Sequence, residues 1–158
     1  MKKVLVLLVF SFVFGACSST KKVVSKSVKR TSKADKIVAN ALKYKGVKYK
    51  FGGTTLKGMD CSGVIYVAFR KENFVLPRVS RDMAKKGKKI SLSNAKKGDL
   101  LFFKTSKSRR SINHVGLVVS TKKGKIRFIH STSSRGVIVS SLSEKYWKKA
   151  FVKATNLL

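Results

Sequence analysis

The hydrophobic positions of the chain change their spacing near its middle, from the period of a helix to that of short strands. In the first half, apolar residues recur three and four positions apart, which is the spacing of one buried helix face. These faces comprise Ile37, Val38, Ala41 and Leu42 in a first helix and Val64, Ile65, Ala68 and Phe69 in a second. The first helix is predicted to begin after Ser32, with Asp35 completing a capping box, and to end near Gly46. The second is predicted from about Cys61 to Lys71, after a glycine turn at residues 52–53.

The second half carries short runs rich in β-branched and aromatic residues, separated by Gly, Lys, Ser and Arg segments, as in an antiparallel sheet. The runs are Leu100–Phe103, Val115–Ser120, Ile126–Ser131, Val137–Ser140 and Phe151–Thr155. Turns are predicted at residues 98–99 and 123–124, and a short helix around residues 143–149. Helices followed by strands indicate an α+β fold, with N-terminal helices packed on an antiparallel sheet of about five to six strands. At 158 residues and 43% apolar, the chain has room for one folded domain.

The N-terminus has the pattern of a bacterial lipoprotein signal. Lys2 and Lys3 precede an apolar run that ends in Gly15-Ala16, and Cys17 follows directly. This order predicts cleavage before Cys17, diacylation of its thiol and a membrane anchor, although Phe14 stands where a lipobox usually has leucine. A plain secretory signal with a chance cysteine is the alternative. The predicted organisation is a signal over residues 1–16, a basic tether over 17–33 and a catalytic domain over 34–158.

The charge of the chain is extreme, because 37 Lys and Arg oppose 6 Asp and Glu, for a net charge of +31. Such a protein attracts polyanions of any kind. An exported lipoprotein meets anionic lipid head groups and the carboxylates of cell-wall peptides, and no nucleic-acid partner is expected. A lysine-rich source proteome would also explain the charge, which therefore assigns no ligand.

Cys61 is the chain's one cysteine outside the lipoprotein signal, and it stands in the sequence Asp-Cys-Ser-Gly at a predicted helix start. The positive end of a helix favours a thiolate, and a thiolate with a histidine base can attack a carbonyl carbon. The chain offers two histidines, His114 and His130. A buried, inert cysteine and a zinc site are the alternatives. A catalytic zinc usually has three protein ligands, and no metal ion or cofactor is expected here.

The motif order resembles that of the NlpC-type cell-wall endopeptidases, a papain-like family of bacterial cysteine peptidases. The resemblance covers residues 34–158 and rests on Tyr49, Gly52-Gly53, Asp60-Cys61-Ser62-Gly63, Leu76-Pro77-Arg78, Ser80, Gly98-Asp99-Leu100, His114-Val115-Gly116 and His130. It implies a papain-like fold and a catalytic set of a cysteine, a histidine and a polar third residue. It also implies cleavage of peptidoglycan stem peptides, typically between D-γ-glutamate and diaminopimelate.

By this resemblance, Cys61 is the nucleophile, His114 the base and acid, and His130 the residue that orients His114. Tyr49 is expected to point its hydroxyl toward the thiol and the oxyanion, beside the backbone N–H of Cys61. Oxyanion or substrate contacts are further expected from Asp60, Ser62, Arg78 and Ser80. A cap of the catalytic helix is the alternative role for Asp60, and a core position that for Tyr49.

Two positions depart from the family pattern, and one loop has two alternative roles. Lys48 stands where the family usually has proline, and Met83 where a polar residue is expected. The second departure affects a substrate subsite and leaves the catalytic set intact. Basic residues in the loop before His114 are candidates for binding stem-peptide carboxylates, with a solvated loop as the alternative. They are Lys104, Lys107, Arg109 and Arg110.

The sequence thus predicts a monomeric peptidoglycan hydrolase that acts through a thioester acyl-enzyme. Its predicted place is the cell envelope, on the outer membrane and facing the periplasm, since Ser18 rather than Asp follows Cys17. Two other functions stay open. One is a related cysteine amidase or acyltransferase, and the other is a non-catalytic basic lipoprotein that binds polyanions of the wall or membrane.

Overall fold

The computed structural model describes residues 31–105 and 111–158. The predicted signal, Cys17, nearly all of the tether and three of the four basic loop residues (Lys107, Arg109 and Arg110) lie outside the described residues. The helices are α1 (Lys33–Leu42), α2 (Cys61–Arg70), α3 (Ser80–Met83) and α4 (Lys145–Ala150). The strands are β1 (Thr54–Thr55), β2 (Gly58–Met59), β3 (Lys88–Ile90), β4 (Leu100–Phe103), β5 (His114–Ser120), β6 (Arg127–Thr132), β7 (Gly136–Ser141) and β8 (Phe151–Asn156). Single 3₁₀ turns lie at Leu92–Asn94 and Lys122–Gly124.

The main sheet is antiparallel throughout, in the order β3-β8-β4-β5-β6-β7, and β1 pairs with β2 in a separate ribbon. The predicted α+β class, the N-terminal helices and the strand number are confirmed. Strand β4 is buried on both faces, which explains its continuous apolar run. Its residues Leu100 and Phe102 pack with α1 and α2 in the larger core, while Leu101 and Phe103 pack with α4 in a smaller one.

The local signals in the sequence correctly predict both long helices. Ser32 and Asp35 form the reciprocal capping box of α1, and the four apolar positions of α2 are fully buried. Helix α1 ends earlier than predicted, at Leu42, whose side chain is exposed, and Gly46 (φ +91°) closes the turn that follows. Within the described residues, no helix is long and apolar enough to cross a membrane.

Three elements were not predicted from the sequence: the β1–β2 ribbon, helix α3 and the edge strand β3. Each is two to four residues long, too short for a periodic pattern. Strand β3 also begins with two lysines, and charged residues are what an exposed sheet edge favours. The departure noted at Met83 has a physical reason, because its side chain is fully buried in the larger core at the end of α3.

Candidate active site

The candidate nucleophile Cys61 is the first residue of α2, as the sequence predicts. Asp60 is the N-cap of that helix, and its Oδ1 accepts a hydrogen bond of 2.6 Å from the backbone N–H of Gly63. The thiol is half-buried, and the backbone N–H groups of Val115 and Ser62 face its sulfur. The start of the helix therefore meets the start of β5, the strand on which His114 lies.

Asp60 also fixes the loop in front of the nucleophile. Its Oδ2 accepts from the backbone N–H of Gly52 at 2.8 Å and from Arg78 Nη2 at 2.9 Å. Arg78 in turn donates from Nη1 to Ser62 Oγ at 2.8 Å and from Nη2 to the carbonyl oxygen of Gly53 at 3.3 Å. The Asp60 and Arg78 side chains thus act together as a clamp on both sides of Cys61. These contacts show Asp60 in its alternative role, as the cap of α2.

The glycines of the motif allow two backbone segments to meet. A Cβ on Gly63 would collide with the carbonyl oxygen of Gly53, and a Cβ on Gly53 would collide with that of Gly58. A larger residue at position 63 would push the glycine turn away from α2, and a larger residue at position 53 would push it away from β2. The Gly-Gly and Asp-Cys-Ser-Gly motifs are therefore two halves of one packed loop.

The two histidines are adjacent, as the sequence predicts. His114 Nε2 lies 2.9 Å from His130 Nδ1, and His130 Nε2 lies 3.0 Å from Ser140 Oγ. The pairing of Leu117 with Ile129 sets the register of β5 and β6, so the two histidines are diagonal neighbours on one sheet face. Because Nε2 of His114 faces His130, Nδ1 is the nitrogen left for the thiol.

Burial governs the protonation of both histidines. It lowers the pKa of His114 to about 4. Burial, together with the positive charge of a protonated His114 and of Arg135, lowers the pKa of His130 to about 2. Both rings are therefore neutral at pH 7.

Burial also raises the pKa of the Cys61 thiol, as does the charge of Asp60, against the opposing effect of nearby backbone N–H groups. In the substrate-free site, burial and Asp60 thus oppose the thiolate that the helix terminus favours. Among the described residues, no hydrogen bond joins the Cys61 thiol to the His114 ring. The resting site holds a neutral thiol and a neutral imidazole, so the proton must move as the sulfur attacks.

Cys61 lies where two surface pockets meet, and Tyr49 and Asn113 line both of them. The first pocket, of about 440 Å³, contains His114, together with Ser131–Arg135, Thr105, Glu144, Tyr146 and Trp147. The second, of about 470 Å³, lies on the other side of the thiol and is lined by Phe51, Gly52, Asp60, Ser62, Arg78–Arg81, Ser111 and Ile112. The two form a groove in which an extended peptide can cross the sulfur.

The remaining predicted site residues line this groove. Tyr49 is 37% exposed, and burial together with Cys61 and Asp60 raises the pKa of its phenol, so the hydroxyl is a hydrogen-bond donor at neutral pH. Ser80 is buried at the start of α3 and lines the second pocket, as do Ser62 and Arg78. Whether these side chains touch a substrate stays a prediction.

Several groove or histidine neighbours were not identified from the sequence. They are Asn113, Arg135, Ser140, Glu144 and Trp147. Trp147 is the chain's one tryptophan and lies on a short helix next to a strand. These two features were the only signal in the sequence that could have identified it as a neighbour of the site. The other four reach the site only through strand register and loop packing.

Comparison with known proteins gives the same family as the sequence motifs. The NlpC/P60 family model matches residues 46–156, which contain both histidines, Cys61 and both glycine motifs. The chain belongs to the NlpC/P60 family. The family predicted from the motif order is therefore confirmed.

Three proteins illustrate this membership. The murein DD-endopeptidase MepS/murein LD-carboxypeptidase of Escherichia coli strain K12 is 40% identical over 116 residues, covering 73% of this chain and 58% of that protein. The γ-D-glutamyl-L-lysine dipeptidyl-peptidase of Bacillus subtilis strain 168 is 34% identical over 117 residues, covering 73% of this chain and 38% of that protein. A crystal structure of an NlpC/P60 family protein from Bacillus cereus superimposes with a TM-score of 0.72 at 26% identity, covering 81% of this chain and 41% of the other. The chain thus matches only 58%, 38% and 41% of the length of these three proteins.

Proposed function

We propose that this protein is a peptidoglycan hydrolase, a cysteine endopeptidase that cleaves peptide stems between D-γ-glutamate and diaminopimelate. One observation carries the proposal: Cys61 lies at the junction of two pockets, and His114 lines only one of them. A peptide crossing the sulfur places its scissile carbonyl there. The departing amine must be protonated by His114, so the pocket with His114 receives the leaving residue and the other receives the acyl part.

The reaction follows from these positions. The thiol proton passes to Nδ1 of His114 while Sγ of Cys61 attacks the carbonyl carbon, and the oxyanion is held by the Cys61 backbone N–H and the Tyr49 hydroxyl. The imidazolium then gives its proton to the nitrogen as the C–N bond breaks, leaving a thioester. Water attacks the thioester while His114 takes its proton, and that proton returns to sulfur as the acid leaves.

The charges of the leaving-residue pocket support the choice of bond. Arg135 and Glu144 both line this pocket. Glu144 accepts one hydrogen bond, from the backbone N–H of Ser141 at 2.8 Å through Oε1, and the described structure gives it no ion pair. Diaminopimelate carries an ammonium and a carboxylate at the far end of its side chain, which match Glu144 and Arg135. Cleavage of a DD-crosslink or of a terminal D-alanine would place a carboxylate but no such side-chain zwitterion in this pocket.

The decisive experiment is incubation of the purified protein, in detergent, with three substrates whose products are read by mass spectrometry. They are a stem peptide that ends in diaminopimelate, the same stem extended by a terminal D-alanine, and a DD-crosslinked dimer of the extended stem. We expect cleavage after the γ-glutamyl residue, abolished in Cys61→Ala and retained in the matched control Cys17→Ala. Cleavage at another bond would overturn the choice of bond only. If all three substrates stay intact while Cys61 is accessible to alkylation, the proposed activity is wrong.

Glu144→Gln tests the basis for the choice of bond. The variant keeps the shape of the side chain and removes its charge. We expect kcat/KM for the γ-glutamyl bond to fall about tenfold, as for loss of a charged hydrogen bond, and little change with a stem that carries norleucine in place of diaminopimelate. An equal loss with both stems would show that Glu144 acts as the N-cap of α4 and not on an ammonium group.

The anchor and location are proposed from the sequence alone. Lipidation of Cys17 would place the domain at the periplasmic face of the outer membrane, as a monomer close to its wall substrate. Incorporation of an alkyne-labelled fatty acid, lost in Cys17→Ser, tests the lipid. Membrane fractionation tests the location, and light scattering in detergent tests the monomer. A label that persists in Cys17→Ser would rule out this thiol as the lipid site.

A further inference from the structure

Ser140 lies at the far end of a hydrogen-bonded row that begins at His114 and passes through His130. The two contacts measure 2.9 Å and 3.0 Å, and the three residues come from the consecutive strands β5, β6 and β7. His114, His130 and Ser140 are 7%, 0% and 4% exposed, so water does not replace a missing partner at His130. Ser140 lines neither pocket at Cys61, and any effect it has on the reaction must pass through His130.

The row can hold its hydrogens in two directions, because a neutral imidazole carries one N–H. In the first, His130 Nε2–H donates to Ser140, His114 Nε2–H donates to His130 Nδ1, and Nδ1 of His114 has a free lone pair facing the site. In the second, the Ser140 hydroxyl donates to His130, His130 donates to His114, and the His114 proton occupies Nδ1. Only the first direction leaves His114 able to accept the thiol proton.

The charged intermediate requires the same direction. Once His114 has taken the thiol proton, both of its nitrogens carry hydrogen, and Nε2–H must find an acceptor at His130 Nδ1. The proton of a neutral His130 must then lie on Nε2, where Ser140 Oγ is the acceptor within reach. Without that acceptor, a fully buried N–H would be unpaired at the moment the positive charge forms.

We propose that Ser140 is a positioning residue, which accepts a hydrogen bond from His130 Nε2–H and so holds His114 in the tautomer that can act as a base. This inference rests on the proposed chemistry of Cys61 and His114. It goes beyond that chemistry by adding Ser140 to Cys61, His114 and His130, as a residue that touches no substrate. The low pKa of His130, about 2 because of burial and nearby positive charge, agrees with a ring that stays neutral throughout.

The chain suits a direct test, since its two histidines give only four ring-nitrogen signals. The full-length protein, labelled with ¹⁵N-histidine, would be examined by NMR at pH 7 as wild type, Ser140→Ala, Ser140→Thr and Thr155→Val. Thr155 supplies the matched control, because its hydroxyl is also buried, has no hydrogen-bond partner among the described residues and lies on the distant strand β8. Each signal would be assigned with His130→Gln.

We expect the wild type to carry hydrogen on Nε2 of both histidines. Ser140→Ala should shift both rings toward a mixture of tautomers and lower kcat about tenfold, the effect of one lost hydrogen bond, with KM little changed. Ser140→Thr should restore the wild-type tautomers and kcat, and Thr155→Val should change neither the tautomers nor kcat.

Two results would overturn the proposal. One is a wild-type spectrum that shows hydrogen on His130 Nδ1. This result can be obtained even if Ser140→Ala fails to fold. The other is a folded Ser140→Ala protein with unchanged tautomers, whatever its kcat. Both differ from failure of the proposed function, which would appear as a wild type that cleaves no stem.

Discussion

The indole of Trp147 lies face to face with the ring of His114, with centroids 5.2 Å apart and planes inclined by 21°. It meets His130 edge-on at 4.5 Å, and its own side chain is only 4% exposed. One side chain from α4 therefore covers both histidines of the row. This cover contributes to the burial that lowers the pKa of both rings.

Reducing this cover should raise the pKa of His114 from about 4 toward the ordinary value of 6.5. Trp147→Phe is the variant of choice, because Trp→Ala in a core costs about 3–5 kcal/mol. The pKa would be measured by NMR titration of the two histidines and from the acid limb of kcat/KM. Tyr146→Ala is the control, since this neighbouring ring is 57% exposed and should leave the pKa where it is. A pKa unchanged in Trp147→Phe would show that the rest of the core, and not the indole, desolvates His114.

The neutral state of Cys61 predicts an unusual alkylation profile. Because burial raises the pKa of the thiol, we expect slow alkylation by iodoacetamide at pH 7 and a rate that climbs above pH 9. In a Cys17→Ser background, Cys61 is the one thiol of the chain, so the rate reports this residue alone.

The same measurement distinguishes a neutral pair from an ion pair. In His114→Gln, the rate at pH 7 should stay nearly the same, since a neutral imidazole stabilises no thiolate. A steep loss of reactivity in His114→Gln, with rapid alkylation of the parent at pH 6, would contradict the neutral resting pair.

The clamp between Asp60 and Arg78 should contribute more to stability than the exposed ion pair between Asp82 and Lys85. Asp60 accepts hydrogen bonds from two backbone N–H groups and from the Arg78 guanidinium, and its side chain is 11% exposed. Asp60→Asn keeps the size of the side chain but turns an acceptor into a donor on one side. We expect a loss of about 2–3 kcal/mol in the free energy of unfolding, in the range for charged buried hydrogen bonds.

Asp82→Asn is the matched control, with side-chain exposures of 39% and 71% in its ion pair with Lys85. Exposed ion pairs contribute little to stability, so the free energy of unfolding measured in urea should barely change. Equal losses in the two variants would mean that Asp60 acts only as a surface charge.

The sequence was most informative where the structure depends on neighbours along the chain. The start of α2 and its apolar face are local features, and both were predicted correctly. The cap by Asp60 is also local, and it was one of the two roles considered for that residue. The contact between His114 and His130 was expected from the orienting role that the resemblance implies for His130, and the register of β5 and β6 produces it.

The sequence was less informative where tertiary packing decides. The helix start favours a thiolate at Cys61, but burial in the folded protein raises the pKa of its thiol. Ser140, Glu144 and Trp147 join the site from residues that lie about eighty positions after the nucleophile. Nothing in the local pattern around them indicates which histidine or pocket they face. Their roles depend on the register of β7 and the packing of α4.

The two buried histidines should make the protein sensitive to acid well above the range in which carboxylates titrate. In the unfolded chain each histidine binds a proton near pH 6.5, whereas in the folded protein the pKa is about 4 for His114 and about 2 for His130. The unfolded state therefore binds more protons below pH 6.5. The free energy of unfolding should be highest above that pH and fall as the pH drops, by about 1.4 kcal/mol per pH unit for each histidine.

Urea unfolding between pH 7.5 and 4 measures this slope. His130→Gln removes one of the two contributions, so the slope should fall by about half whatever the variant does to stability at pH 7. Below about pH 4, the folded His114 begins to take up its own proton and the slope of the parent should decrease. A free energy of unfolding that is level from pH 6.5 to 4.5 would show that the folded protein binds these protons as readily as the unfolded chain, and that the histidines are not desolvated as the structure indicates.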